Sequence, residues 1–484
     1  MTSIDISTIL FTALGVYGLA ASVFLIAENR RPQATLAWIL VFFFAPGIGL
    51  VIYILFGRDR KAFSRESRLL RQEIKPQARP LLSRLLSRQD EEIARLVGDL
   101  GVYQRLMTLV RRNSQSSLTR RNRVEILQDA AAFYPRMVED MKAARHSIHH
   151  QYYIWRSDEF GETLKEILIA KAKAGVEVRV LYDPVGSQNL SRSYIREMRA
   201  SGVHMAPTSP LYRLHTIGYR NHRKISVIDG VIAYTGGMNI GQEHLDGGAG
   251  FDCWRDTQSR IVGEAAGILQ AVFLVDWYNA VRENLFSPDY FPETPANPTD
   301  GDVPVQILTS GPDSQWAAIR QLYVGMIATA QRRVIVQSPF FIPDPTIAEA
   351  LKLAALSGVD VQLMLSGRAS GNQLPQWAGN TFIPDVAGAG VRVFLYQKGY
   401  LHAKTIGIDS EVCSIGSANI DIRSFSINYE LNAVFYSARL AGRLERDFER
   451  DLAHCTEFDV AEYRRRNVVS RFRDSLARLV SPLL

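Results

Sequence analysis

The strongest constraint on how this chain folds is that it carries one cassette twice. Aligning His222 with His402 makes five positions coincide without a gap: histidine at offset 0, lysine at +2 (Lys224, Lys404), aspartate at +7 (Asp229, Asp409), glycine at +14 (Gly236, Gly416) and asparagine at +17 (Asn239, Asn419). Isoleucines at +6 (Ile228, Ile408) and +18 (Ile240, Ile420) extend the match to apolar positions. A looser echo precedes each copy. A β-rich run (Gln151 to Trp155; Ser338 to Ile342) leads to a Gly-Val pair opening an alternating strand (Gly175 to Tyr182; Gly358 to Leu365), then to a second Gly-Val pair (Gly202-Val203; Gly390-Val391). Helical spacing at Leu164, Ile167, Leu168 and Ala172 fills the first gap. Each half thus reads as strand, helix, strand, helix, strand, followed by a strand bearing the histidine, which is a layered α/β unit. The expected architecture is two tandem α/β/α lobes related by pseudo-two-fold symmetry, at 119–290 and 305–460, with a proline-rich linker at 291–304.

His222 and Lys224 stand two apart, which on a strand puts them on one face. A lone strand histidine is usually a satisfied core or surface residue; two identical cassettes reverse that preference. Folded about a pseudo-two-fold axis, they bring two imidazoles, two ammonium groups and two carboxamides to one centre. Lysines and asparagines without a carboxylate suit an anionic, multi-oxygen group such as phosphate. One imidazole then attacks phosphorus in line and the other protonates the leaving oxygen, afterwards serving as base toward an incoming alcohol. This route calls for no metal and no cofactor.

Two apolar runs open the chain. Ile6 to Ala27 is free of charge for 22 residues and Pro32 to Gly57 for 26, each beyond the ~20 residues that cross a bilayer. Residues 1–57 are therefore expected to form two membrane-embedded helices, with Pro46-Gly47 as a kink or re-entrant turn. Lys and Arg number 56 against 49 Asp and Glu, a net charge of +7. Residues 58–88 hold ten basic side chains and three acidic ones, so this stretch carries the whole excess. Charge so confined points to an anionic membrane surface beside a juxtamembrane segment, 58–118, and away from nucleic acid. The Lys/Arg balance across the hairpin places both its ends, and the lobes, on the cytoplasmic side. Residues 461–484 repeat the theme as a basic amphipathic helix, with Val469, Phe472, Leu476, Leu479 and Leu483 on one face, suited equally to a membrane surface or to docking on its own domain. Three cysteines, Cys253, Cys413 and Cys455, lack the spacing of a disulfide framework or a zinc site.

The paired motifs, His222-Arg223-Lys224 through Asp229 with Gly236-Gly237-Met238-Asn239, and His402-Ala403-Lys404 through Asp409 with Gly416-Ser417-Ala418-Asn419, resemble the H-x-K-x4-D and G-[GST]-x-N signature of the phospholipase D superfamily. More narrowly the chain is similar to bacterial cardiolipin synthases, through Tyr53-Ile54-Leu55-Phe56-Gly57-Arg58, Asn221-His222-Arg223-Lys224, Trp254-Arg255-Asp256-Thr257, and Asp421-Ile422-Arg423-Ser424-Phe425 continuing to Asn428-Tyr429-Glu430. The resemblance implies a multi-pass enzyme of the bacterial inner membrane that joins two phosphatidylglycerols into cardiolipin, releasing glycerol, through a phosphatidyl-histidine intermediate. It implies His222 as nucleophile and His402 as acid and then base. Lys224, Lys404, Asn239, Asn419 and Ser417 would hold the phosphate, and Asp256 and Glu430 would orient the imidazoles. Asp229 and Asp409 belong to the signature, though a carboxylate aimed at an anion repels it, so a structural brace is the expected role. Gly237 stands where the second copy has Ser417, which leaves any hydroxyl contact to one half. The alternatives are a hydrolytic phospholipase D or another phosphatidyltransferase, with a nucleic-acid phosphodiesterase below them. A homo-oligomer is compatible with all of these.

Overall fold

The computed structural model describes residues 6–27, 32–45, 47–49, 53, 101–209, 218–248, 250–292 and 303–481. The basic stretch 58–88, most of the 291–304 linker and Leu483 lie outside the described residues.

The first half builds seven strands: β1 (Asn122–Gln128), β2 (Ser147–Tyr152), β3 (Glu177–Tyr182), β4 (His204–Pro207), β5 (Ile225–Ile228), β6 (Ile232–Gly236) and β7 (Thr257–Gly263). The second half builds seven more: β8 (Val305–Ser310), β9 (Arg333–Ser338), β10 (Asp360–Ser366), β11 (Arg392–Tyr396), β12 (Thr405–Ile408), β13 (Val412–Gly416) and β14 (Glu430–Tyr436). The first sheet runs β1-β7-β6-β5-β2-β3-β4, and the second runs β8-β14-β13-β12-β9-β10-β11 in the same order, with Leu118–Thr119 and Cys455–Glu457 added at its edges. Registers correspond too: Ile148 faces Ile228 in one lobe where Val334 faces Ile408 in the other. In each lobe three strands pair in parallel and the rest antiparallel.

The Gly-Val echo has a physical origin. The helix Glu159–Lys173 starts at Asp158, whose carboxylate accepts from Gly161 N, and Pro345–Leu356 starts at Asp344, which accepts from Ile347 N. Gly175 and Gly358 follow these helices at φ +87° and +93°, a left-handed conformation that stops a helix and that glycine adopts without strain. The valine after each begins the return toward the sheet. Gly202 and Gly390 repeat the device.

The two sheets share a core. Ile225, Val227, Ala233 and Ile261 of the first lobe pack in one buried cluster with Ile307, Ile415, Leu431 and Phe435 of the second. At ~25 cal/mol per Å² of apolar surface, such a seam makes the lobes one cooperative body. Residues 101–118, expected in the juxtamembrane segment, and Thr119, expected in the first lobe, complete the second lobe: Tyr103, Leu106, Met107 and Val110 are buried against Leu322, Tyr323 and Met326.

At the N-terminus, Ile6–Ala27 is a single 22-residue helix, while the second apolar run forms a helix of only 13, Pro32–Phe44, about 20 Å long. The rest of the second run is described only at residues 45, 47–49 and 53. Ala45 precedes Pro46, whose ring disfavours helix in the residue before it. Side chains of the first helix are described from Gly15 on, and among the described residues no helix is long and apolar enough to cross a membrane. The pair packs through Leu25, Phe42 and Tyr53 and leaves Val16, Leu19, Phe24, Leu40 and Phe43 exposed.

The C-terminal region forms two helices, Val460–Arg465 and Val468–Leu479. The second docks on Leu374–Asn380 through its buried Asp474 and Ala477, with Asn380 donating to Asp474 at 3.2 Å. Its other face, with Val469, Phe472, Leu476 and Leu479, stays exposed.

Candidate active site

His222 and His402 lie just before β5 and β12, not on them. There the chain leaves its own sheet and pairs with the opposite lobe. His222 N donates to Tyr429 O at 2.9 Å, and His402 N donates to Arg255 O at 2.7 Å. Tyr400–Leu401 pairs in parallel with Trp254–Arg255, and Asn221 makes the equivalent bridge with Tyr429. These crossings carry each lobe's carboxylate to the other lobe's histidine. His222 Nδ1 is 3.0 Å from both oxygens of Glu430, and His402 Nδ1 is 2.6 Å from Asp256 Oδ2. Facing a carboxylate, each Nδ1 carries the proton, which frees Nε2 as the reactive nitrogen.

The two carboxylates are held differently. Glu430 is fully buried and accepts from Ser417 Oγ at 2.5 Å and Asn428 Nδ2 at 3.2 Å. Asp256, one methylene shorter, accepts from the Thr257 N–H at 2.7 Å. A Cβ on Gly237 would sit 2.1 Å from Asp256 Oδ1, so the first lobe excludes the side chain that the second uses as a prop. Gly237 with Asp256 and Ser417 with Glu430 are thus alternative solutions to one spacing. Ser417, expected on the phosphate, has its hydroxyl engaged by Glu430 and by the Leu431 backbone.

Lys224 and Lys404 are almost completely buried, and each ammonium donates to the backbone carbonyl of its own histidine, Lys224 at 2.7 Å. Burial drives Lys224 well below the ordinary lysine range, against the pull of Glu430. It brings Lys404 down to about 8, against Asp256 and Glu430. Burial also lowers both imidazoles. At His222 the Glu430 charge opposes burial; at His402 the ammonium groups of Lys404 and Lys224 add to it, as does His222 whenever it is protonated. Burial pushes Glu430 up, but His222, Lys224 and Ser417 outweigh it and hold the carboxyl low. Burial raises Asp256. Burial of the centre therefore favours neutral imidazoles, with an ionised Glu430 behind His222.

Asn239 Oδ1 accepts from Ile154 N at 3.2 Å, and Asn419 Nδ2 donates to Asp421 at 3.1 Å. Asp421 is a carboxylate in a region expected to have none beyond the orienting pair, and burial raises it to about 6. Asp229 and Asp409 lie at the far ends of β5 and β12. Asp229 accepts the backbone N–H groups of Arg145, His146 and Ser147, and Asp409 those of Gln331, Arg332 and Arg333, at 2.7–2.9 Å. Both fasten the loop entering a neighbouring strand, and neither is at the histidine pair. Among the described residues, no group of three His, Cys, Asp or Glu is placed to hold a metal ion.

The family described as "Cardiolipin synthase, PLD-like domain" matches residues 137–254 and 323–452, one match in each lobe. The "Cardiolipin synthase" of Geobacillus kaustophilus is 40% identical over 470 residues, covering 94% of this chain and 90% of that protein. The chain belongs to the cardiolipin synthase family. The "Major cardiolipin synthase ClsA" of Bacillus subtilis is 37% identical over 498 residues, 99% of this chain and all of that one. A second family, "Phospholipase_D-nuclease N-terminal", matches residues 18–58. The fold of this cardiolipin synthase family member is shared by a phosphatidylserine synthase of Haemophilus influenzae, at a TM-score of 0.58 and 15% identity over 75% of this chain and 95% of that one.

Several residues of this family member's centre have places there that motif reading did not assign. Tyr153 meets the His222 ring edge-on at 4.9 Å, and Trp254 meets His402 at 5.5 Å. Arg223 donates to both oxygens of Asp276, anchoring the turn that presents His222. His244 packs 6.0 Å from His402. It lies 22 residues after His222, where the second cassette has Ser424; unlike residues at one offset hide a repeat.

Proposed function

We propose that this protein makes cardiolipin by two successive transfers at one phosphorus. His222 Nε2 attacks the phosphodiester of a first phosphatidylglycerol. The bond from phosphorus to the glycerol oxygen breaks, and the His402 imidazolium gives that oxygen its proton. Neutral His402 then takes a proton from the headgroup hydroxyl of a second phosphatidylglycerol. The resulting oxygen attacks phosphorus, the P–N bond breaks, and cardiolipin leaves. The observation that carries this reading is the crossed pairing, in which imidazoles from opposite lobes are each oriented by the other lobe's carboxylate.

The ionised Glu430 suits a nucleophile, since it raises the basicity of Nε2 and stabilises the positive charge that His222 acquires on attack. The acid needs a different setting. Burial, together with the Lys404 and Lys224 charges, holds His402 neutral until a phosphodiester anion lies between the two ammonium groups and offsets their charge. His402 is then protonated when substrate is present, at the step that needs an acid. Burial of the centre favours an alcohol over bulk water as acceptor.

The lobes work at a bilayer surface. The outward apolar side chains of Ile6–Ala27 and Pro32–Phe44 fit a lipid environment, and the exposed stripe of Val468–Leu479 fits the headgroup boundary. The charge balance of the flanks supports the cytoplasmic face of the bacterial inner membrane as the side on which the lobes work. The test is a product assay with purified protein in vesicles of phosphatidylglycerol. Cardiolipin and glycerol in equal amounts support the proposal; phosphatidic acid as sole lipid product selects a hydrolase.

A further inference from the structure

Three buried polar atoms beside His402 have no partner among the described residues: Nδ1 and Nε2 of His244 and Nε1 of Trp254. A buried polar group left unpaired costs roughly 1–3 kcal/mol, and native proteins rarely tolerate three together. His244 sits on the short helix Glu243–Asp246, is 2% exposed, and packs edge-on against Trp254 at 5.0 Å. Trp254 in turn packs on Tyr400 and His402. The groups that act electrostatically on His244 are those of the centre itself: His402, Asp256, Lys404 and Lys224. Burial holds its imidazole down to about 3, so it is neutral and offers one N–H donor and one lone-pair acceptor. A hydroxyl offers the same two functions, and the indole adds a second donor. A polyol with hydroxyls on adjacent carbons satisfies all three atoms; a phosphate, which has only acceptors, leaves the imidazole lone pair unmet.

We infer that His244 and Trp254 bind the glycerol headgroup on the His402 side of the centre, holding the hydroxyls next to the one that reacts. The inference rests on the transfer proposed above, in which His402 serves the glycerol oxygen. The pseudo-symmetric position, Ser424, also has a buried and unpartnered hydroxyl, but it is far smaller. The two sides of the centre thus also differ in the group they present at this offset.

Isotope exchange tests this in the full-length protein. Labelled glycerol and phosphatidylglycerol give labelled phosphatidylglycerol and unlabelled glycerol through the same histidine intermediate, so the dependence of exchange on glycerol concentration yields a KM for the polyol. His244→Phe is expected to raise that KM roughly ten- to a hundredfold, the loss of two neutral hydrogen bonds, with a smaller change in maximal rate. His244→Gln, which keeps a donor and an acceptor, recovers most of the affinity. Trp254→Phe keeps the aromatic packing, removes only the N–H, and raises the KM severalfold. Ethanol as acceptor, with no adjacent hydroxyl, is expected to show little change in KM in any variant. An unchanged glycerol KM in both His244→Gln and Trp254→Phe, together with an unchanged KM or a purely kcat defect in His244→Phe, overturns the inference. Absence of exchange in the wild-type protein defeats the transfer mechanism itself.

Discussion

His402 rests on Asp256 at 2.6 Å although 146 positions separate them and they belong to opposite lobes. His222 and Glu430 return the arrangement across 208 positions. Neither lobe holds a complete histidine–carboxylate pair on its own, so docking of the lobes and assembly of the centre are one event. Replacing either carboxylate by its amide keeps shape but presents an N–H to Nδ1 and forces the wrong tautomer. Glu430→Gln and Asp256→Asn are each expected to lower kcat by roughly 10²–10⁴-fold with the fold intact by circular dichroism. A variant that retains most of its activity would remove the orienting role.

The pH profile follows from the buried bases. Free enzyme needs His222 neutral and Lys404 charged. His222 is held below the ordinary histidine range, so its protonation lowers kcat/KM only at acid pH, whereas His402, neutral in the free enzyme, must gain its proton with substrate, so kcat/KM already declines as pH rises across neutrality. Lys404 loses its proton as pH rises through about 8, so kcat/KM falls above that point. A bound phosphodiester anion favours the ammonium, which shifts the alkaline limb of kcat upward relative to that of kcat/KM. Lys404→Arg, permanently charged, is expected to abolish the limb near pH 8 at a reduced rate. The same limb in that variant would assign it to another group.

Asp409 tests the distinction between brace and catalyst. Asp409→Ala strips three backbone N–H groups of their acceptor and leaves a non-glycine residue at φ +54°. A loss of roughly 2–4 kcal/mol in stability is expected, seen as a fall in Tm, with kcat per folded molecule within about threefold of wild type. Full stability with a hundredfold kinetic loss would return Asp409 to the chemistry.

The exposed stripe on Val468–Leu479 is expected to matter only at an interface. Phe472→Asp with Leu476→Asp should raise the apparent KM for phosphatidylglycerol in vesicles about tenfold or more, since each side chain contributes roughly 1.5–3 kcal/mol on leaving water. Activity on dispersed short-chain phosphatidylglycerol should be unchanged. Equal losses on both substrates would mean that the substitutions disturb the docked face at Asp474 and Ala477.

The repeat was legible because its offsets are exact and its residues unlike their surroundings: from His222 and His402 follow two lobes with one strand order. The Gly-Val echoes were legible for a local reason, since Gly175 and Gly358 are needed at helix ends. What could not be read was relational. That Glu430 serves His222 and Asp256 serves His402 depends on which lobe edge meets which, and no local pattern encodes it. The two-residue spacing of His222 and Lys224 suggested a strand, but pairing with Tyr429 of the other lobe draws the chain away from its sheet before β5 begins. Leu106, Met107 and Val110 lie on one face of a helix, but nothing local says that the second lobe's core is their partner. His244 went unseen because Ser424 answers it in the other cassette.

The central claim is that one phosphorus is handled by two imidazoles from opposite lobes, and covalent trapping tests it most directly. Purified protein mixed with radiolabelled phosphatidylglycerol is quenched within a turnover under alkaline denaturing conditions that preserve the P–N bond, and the labelled peptide is identified. The account predicts label on His222, absent in His222→Ala, with cardiolipin formation lost in both His222→Ala and His402→Ala. Turnover without a labelled histidine, or cardiolipin still made by either variant, would contradict it.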